Sequence, residues 1–212
     1  MMRKFGTVVT MVALFLLTAS ASAVVTMDEP GMTSALWTFP TSDTPAYPDE
    51  YVNENGRPQV DFFGEFADNT VWLAEDYGHT GVWVIDRTAP SDMRIFVPNF
   101  GPNDMKKIWV NIVFASQEDK APNVFVLPEG DDTQPVPRME LVSQTPVDND
   151  YSLASYYLEL PFNPTWEYIF IRPRDCQVYI DSVDVKTQCI PEPMTLVLLG
   201  LGSVAALRRR VL

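Results

Sequence analysis

The sequence predicts an all-β protein: an antiparallel β-sandwich of jelly-roll-like form, flanked by an N-terminal signal-peptide helix and a C-terminal transmembrane helix. Three observations carry this. Short runs rich in Val, Ile, Tyr, Phe and Trp recur between clusters of Pro, Gly, Asn and Asp, the pattern of strands separated by turns. No segment between the two ends sustains a helical period. Prolines are scattered from Pro30 to Pro191, and a ring that blocks the backbone donor and clashes with the preceding turn disfavours long helices.

The chain opens with Arg3 and Lys4, followed by the apolar run Val8–Leu17 and then Ala21-Ser22-Ala23. A basic region, a short apolar region and a small-x-small site compose a secretory signal, with Ala21 and Ala23 marking cleavage after residue 23. A β-sandwich domain is expected over 24–189.

Within it the first candidate strand is Ala35–Phe39. The Pro- and acid-rich stretch Pro40–Pro58 follows and reads as a long surface loop. Candidate strands resume at Val60–Phe63, Val71–Leu73, Gly81–Ile85 and Met93–Val97. Lys107–Phe114 gives the clearest alternation: Ile108, Val110, Ile112 and Phe114 share one face, and Trp109, Asn111 and Val113 share the other. Asn123–Leu127, Met139–Gln144 and Leu153–Leu160 come next. Tyr168–Ile171 is apolar on both parities and reads as a central strand covered on both sides. In Val178–Val185 the parity of Val178 and Ile180 differs from that of Val183 and Val185, which predicts a β-bulge near Asp181-Ser182. An extended strand here also works against a bridge between Cys176 and Cys189, whose Cα atoms would lie far beyond the ~7 Å limit.

The last segment, 190–212, begins at Ile190, passes Pro191-Glu192-Pro193 and the apolar run Met194–Leu207, and closes on Arg208-Arg209-Arg210. Met194–Leu207 rises only about 21 Å as a helix, short of a hydrocarbon core of roughly 30 Å; counting from Ile190 gives a span just long enough. The arginines stay cytoplasmic by the positive-inside bias, leaving the body outside.

Between Val24 and Glu192 lie all 28 acidic residues and ten of the 15 basic ones, so that stretch carries a formal charge of −18. Such a surface excludes nucleic acid and anionic lipid as partners, because both need basic patches. It suits an exported protein that meets cations or basic partners.

Chemistry-bearing motifs are sparse. His79, the single histidine, sits in the Gly-flanked Asp76–Gly81 segment and reads as a solvent-facing turn residue. Calcium is the one metal the composition suggests, at Asp131 and Asp132 or at Asp148 and Asp150, where turn chemistry explains the same residues equally well. No other cofactor is implied. No motif for a nucleophile, a zinc site or a phosphate loop is present, and no catalytic residue is assigned. Five tryptophans and eight tyrosines raise sugar stacking as an alternative to core filling; Trp109 alone has a parity that points outward. A polysaccharide hydrolase would need two carboxylates facing across a cleft, roughly 5–9.5 Å apart.

The ordered set of Pro191-Glu192-Pro193, Met194–Leu207 and Arg208–Arg210, behind an N-terminal signal, resembles the PEP-CTERM sorting module of exported Gram-negative proteins. The resemblance implies two processing partners, signal peptidase and a membrane-embedded exosortase that cuts near Pro191-Glu192-Pro193. It also implies a transient inner-membrane intermediate held by Met194–Leu207, with Arg208, Arg209 and Arg210 as the stop-transfer charge. The destination is then the cell surface or extracellular matrix, where polysaccharide is a possible partner. The closing run Val178–Val185 is also similar to the last strand of galactose-binding-like jelly rolls. The expected role is non-enzymatic, structural or adhesive; a carbohydrate-binding module and a polysaccharide hydrolase are the alternatives.

Overall fold

A computed structural model of the chain describes residues 31–64, 70–87, 91–99, 105–129, 136–174 and 177–190. Ala21, Ala23, Asp131, Asp132, Cys176, Pro191–Pro193 and Arg208–Arg210 lie outside the described residues, as do both expected terminal helices. Among the described residues there is no helix, and the strands form two antiparallel sheets packed face to face.

The strands are β1 (Met32–Trp37), β2 (Glu50–Val52), β3 (Gln59–Phe63), β4 (Val71–Asp76), β5 (His79–Ile85), β6 (Asp92–Pro98), β7 (Met105–Ser116), β8 (Asn123–Pro128), β9 (Glu140–Pro146), β10 (Ser152–Leu160), β11 (Trp166–Arg172) and β12 (Val178–Ile190). The larger sheet runs β2-β1-β12-β7-β10-β9, with β5 also pairing β12 and β4 pairing β5; the smaller runs β3-β6-β11-β8. From β5 onward the chain passes repeatedly between the layers, so the two sheets share one interior.

That interior follows from alternation. On β7, Ile108, Val110, Ile112 and Phe114 are fully buried while Trp109, Asn111 and Val113 are half-buried on the outer side, as the sequence pattern requires. On the smaller sheet, Val60, Met93, Ile95, Val97, Val124, Val126, Ile169 and Ile171 face inward. Each buried aliphatic side chain contributes roughly 1.5–3 kcal/mol. The bulge expected near Asp181-Ser182 is present: the β12–β7 register shifts between Ile180 and Ser182, which returns Val183 and Val185 to the buried side.

Three expectations change. Glu50–Val52 lies inside the stretch read as a surface loop, yet it pairs with β1. As a short edge strand exposed at every residue, it has no apolar alternation to betray it. Tyr168–Ile171 is central, between β6 and β8, but only Ile169 and Ile171 are buried; Tyr168 and Phe170 remain half-buried on the outer face because, among the described residues, no layer covers that side. Ile190, placed at the start of the C-terminal segment, ends β12 as a strand residue.

The interior also holds charge. Lys106 and Glu167 continue the buried parities of β7 and β11, and both side chains are fully inaccessible. Lys106 Nζ lies 2.8 Å from Glu167 Oε1 and 2.9 Å from Oε2, linking the two sheets.

One tight backbone approach positions β5. Gly81 has φ 76°, and a Cβ added there would overlap the carbonyl oxygen of Phe39, which also accepts a 3.0 Å hydrogen bond from Trp72 Nε1. Gly81→Ala is expected to lower unfolding stability by about 2–4 kcal/mol through strain and backbone displacement. Urea denaturation followed by Trp fluorescence measures this; a loss below about 1 kcal/mol would show that the contact yields freely.

Candidate functional site

Alternation on the smaller sheet places its second set of side chains on the outer face, and six of those fourteen are aromatic. Four rows cross the strands. Pro98 lies beside Trp166, and Gln59, Phe96, Tyr168 and Leu127 form the next row. Asp61, Arg94, Phe170 and Phe125 follow, and Phe63, Asp92, Arg172 and Asn123 end the face.

The rings touch in series. Centroids are 5.0 Å apart for Trp166–Tyr168, 5.5 Å for Phe96–Tyr168, 6.2 Å for Tyr168–Phe170 and 5.9 Å for Phe63–Phe170. Interplanar angles of 51–65° for these pairs make the surface continuous but faceted, not a set of coplanar plates. Phe63 is 51% exposed, whereas Phe96, Phe125, Trp166, Tyr168 and Phe170 are half-buried against one another.

Two arginines are set into this surface by two-point ion pairs. Arg94 Nε and Nη2 donate to Asp61 at 2.8 and 2.6 Å, and the guanidinium lies 4.8 Å from the Tyr168 centroid and 5.0 Å from that of Phe63. Arg172 donates to Asp92 at the same two distances and lies 5.4 Å from the Phe125 centroid. The hydrogen bonds to Asp61 and Asp92 hold both guanidinium pKa values above their ordinary value, against burial that lowers them.

Beyond the last row the face opens into a cleft of about 540 Å³, within the usual size range of ligand pockets. Its described lining includes Phe63, Phe125, Asn123, Arg87, Arg172 and Arg174, with Asp92 as the one carboxylate among the lining residues. Among the described lining residues there are three arginines and one carboxylate, in a Val24–Glu192 stretch of formal charge −18. Asn123 Oδ1 is buried there without a hydrogen-bond partner, a costly state unless a ligand or water supplies a donor. The Asp92 carboxylate is occupied by Arg172, so no carboxylate pair faces across the cleft among its described lining residues.

No family model matches the chain, and no curated protein matches it. Among solved structures it is similar to a family 35 carbohydrate binding module from Clostridium thermocellum, at 12% identity and a TM-score of 0.37, covering 59% of this chain and 90% of that one. It is also similar to the K1 cleaved adhesin domain of Lys-gingipain from Porphyromonas gingivalis W83, at 9% identity and a TM-score of 0.39, covering 72% of this chain and 96% of that one.

The aromatic face was not among the sites expected from the sequence. Its signal was available: Arg94 and Phe96, Phe125 and Leu127, and Trp166, Tyr168 and Phe170 all occupy the parity opposite to a Val/Ile/Met stripe. The tryptophans divide as Trp37 and Trp83 in the interior and Trp72, Trp109 and Trp166 half-buried. Trp109 does face outward, on the larger sheet, 5.5 Å from Tyr157.

Asp148, one of the expected calcium residues, is engaged otherwise. Its Oδ1 accepts from the backbone N–H groups of Asp150 and Tyr151, and its Oδ2 meets His79 Nε2 at 2.7 Å. The side chain of Asp150 stands at an exposed turn. Among the described residues no group of His, Cys, Asp and Glu is arranged to hold a metal ion.

His79 is therefore not a solvent-facing turn residue. It opens β5 with its side chain 17% exposed, its Nδ1 3.1 Å from Asp181 and its ring stacked 3.8 Å from that of Tyr151. Tyr151 in turn donates to Asp76 at 2.9 Å. Burial works against a charged ring, but the hydrogen bonds and attraction of Asp148 and Asp181 outweigh it and raise the His79 pKa above 6.5. The hydrogen bond from His79, with the two backbone donors, draws Asp148 down to about 2.

Linkage fixes the sign. A raised histidine stabilises the fold fully below about pH 6.5, and that contribution is lost as pH rises through the folded value. The Asp148 contribution is present above the ordinary carboxylate range and lost as pH falls from about 4 toward 2. The stability gap between the natural chain and His79→Gln is thus expected to be widest near pH 5–6 and to narrow toward pH 9. Urea midpoints at several pH values test it, and a gap that stays constant would remove the ion pair from the account.

Proposed function

We propose that this protein is an exported, non-catalytic binding protein whose ligand surface is the outer aromatic face and cleft of the β3-β6-β11-β8 sheet, and that its ligand is a polysaccharide. The observation that carries this reading is the placement of Phe63, Phe96, Phe125, Trp166, Tyr168 and Phe170 on the uncovered side of a sheet whose covered side is already filled by aliphatic residues. A monomeric surface rarely leaves so contiguous an apolar patch unless something binds it. Faceted rings offer CH-rich sugar faces several stacking angles, which suits a branched or twisted chain better than a flat crystalline one. The arginines among the described lining residues, Arg172 above all, favour a chain bearing carboxylate or other anionic groups.

Binding fits the cleft better than hydrolysis. A glycosidase needs an acid and a second carboxylate across the scissile bond, and among the described lining residues the one carboxylate is tied to an arginine by two hydrogen bonds. The same reading carries the route outward. The N-terminal signal directs export, and the tail is handed to an exosortase at Pro191-Glu192-Pro193 while Met194–Leu207 and Arg208–Arg210 hold it in the inner membrane.

Titrating the protein with uronate-rich and neutral polysaccharides in affinity electrophoresis tests the ligand surface. Tyr168→Ala and Phe125→Ala are each expected to weaken binding about tenfold or more, the scale of a lost central aromatic contact. Trp109→Ala, on the opposite outer face, should leave affinity unchanged. Equal losses from both faces, or no retardation by any polysaccharide, would defeat the reading. For sorting, replacing Pro191, Glu192 and Pro193 by alanine should leave an unprocessed, membrane-retained chain on a blot; normal processing would reduce the tail to a plain anchor.

A further inference from the structure

The buried polar group between the sheets has three members. Besides Lys106 and Glu167 it includes Asn99, 8% exposed, whose Nδ2 donates a short hydrogen bond to Glu167 Oε2. Lys106 Nζ donates to that same oxygen at 2.9 Å and lies 2.8 Å from Oε1. One carboxyl group therefore contacts both a primary amine and the nitrogen of a carboxamide, sealed from water. We propose that Lys106 and Asn99 are joined by an intramolecular isopeptide bond, formed autocatalytically with Glu167 as the proton carrier.

The reaction balances without any co-reactant. The lone pair of the neutral Lys106 Nζ attacks Asn99 Cγ, and a new C–N bond forms. The bond from Cγ to Nδ2 breaks, and Nδ2 leaves as ammonia. Glu167 delivers its proton to the departing nitrogen and recovers one from Nζ, so the carboxyl group ends as it began. An amine and a carboxamide become a secondary amide and ammonia, and nothing is oxidised or reduced.

The surroundings supply what the chemistry requires. An amine must be neutral to attack, and the carboxyl must hold a proton to give. Burial drives Lys106 below its ordinary pKa and Glu167 above its own, so desolvation turns an ion pair toward the amine-plus-acid state. Water, which would compete for the carbonyl and hydrate the amine, is excluded because neither side chain has exposed surface. Asn99 is fixed by its backbone N–H, which donates to Thr165 O at 2.8 Å. Its Oδ1 is buried without a hydrogen-bond partner, so the side chain is oriented through the very nitrogen that must leave. Asn99 directly follows β6 in the smaller sheet, whereas Lys106 belongs to β7 in the larger, so the bond staples one layer to the other. This inference does not depend on the ligand proposed above.

Tryptic mapping of the purified full chain decides it. The expected fragment Ile95–Lys107 is one ammonia lighter than its sequence, is not cut after Lys106, and yields no fragment ions between Asn99 and Lys106. A succinimide at Asn99 would give the same deficit but leave the intervening ions and the Lys106 cleavage intact; that result would overturn the proposal, as would a fragment of full mass. Glu167→Gln keeps the shape and the contact to Asn99 but cannot carry the proton. Its linked fraction is expected to form at least about a hundredfold more slowly, the scale of a general acid–base contribution. Unchanged linkage in folded Glu167→Gln would remove Glu167 from the mechanism.

Discussion

The antiparallel ladder between β7 and β12 is the constraint on which the rest of the structure depends. β12 pairs with β7 along nearly its whole length, and along its other edge it pairs first with β5 and then with β1. Because side chains alternate with period two, a one-residue slip of β12 would turn Val183, Val185 and Thr187 from the interior to solvent. The chain contains such a slip and confines it to the bulge at Asp181, so both halves of β12 keep their apolar residues inside. Asp181 itself is left 3.1 Å from His79 Nδ1. A correction to the register thus also supplies one side of the clamp that ties β5, β12 and the turn before β10 together.

The same periodicity explains why the two outer faces differ. On the larger sheet the outward positions carry Trp109, Tyr157, Asn111, Asp184 and Lys186, with Asn111 donating to Asp184 at 3.2 Å and Lys186 3.3 Å from it. That is an ordinary solvated surface with one aromatic pair. On the smaller sheet the outward positions carry six aromatics and two arginines among Gln59, Pro98, Leu127 and Asn123, with acidic residues at Asp61 and Asp92 that are already paired. The interior does not require this composition, since it is complete without those side chains. Their burial against each other recovers only part of the free energy that a covering layer would provide.

Most strands were legible because alternation survives wherever one face is buried. Lys107–Phe114 and Leu153–Leu160 stood out for that reason, and the parity break in Val178–Val185 located the bulge. Legibility failed where that asymmetry vanished. β2 is exposed at every residue and offers no contrast, while β11 carries large apolar residues on both sides and imitates a doubly covered strand. The candidate site sits on such strands, so the outward aromatics that define that face also disguised it as core. Lys106 and Glu167 were hidden differently. They lie on the buried parity, but a charged residue at a strand end normally reads as solvated. Only the third dimension shows that β7 and β11 bring them together.

Magnitudes separate the roles of the ion pairs. Partly exposed pairs such as Arg94–Asp61 and Arg172–Asp92 contribute of order 0–1 kcal/mol each to stability, so stability alone is a weak reason for two such forks on one face. Their geometric effect is larger: a guanidinium held at two points is fixed in plane and position, at little further entropic cost when a ligand arrives. Arg94 is thereby held against Phe63 and Tyr168, and Arg172 against Phe125, beside the cleft. The Lys106–Glu167 pair lies at the opposite extreme. Removing two full charges from water costs several kcal/mol per ion, and well-packed apolar residues there would often serve the fold as well or better. A buried amine, acid and amide therefore need a reason beyond cohesion between the sheets, and a covalent bond that discharges both ions resolves the cost at its source.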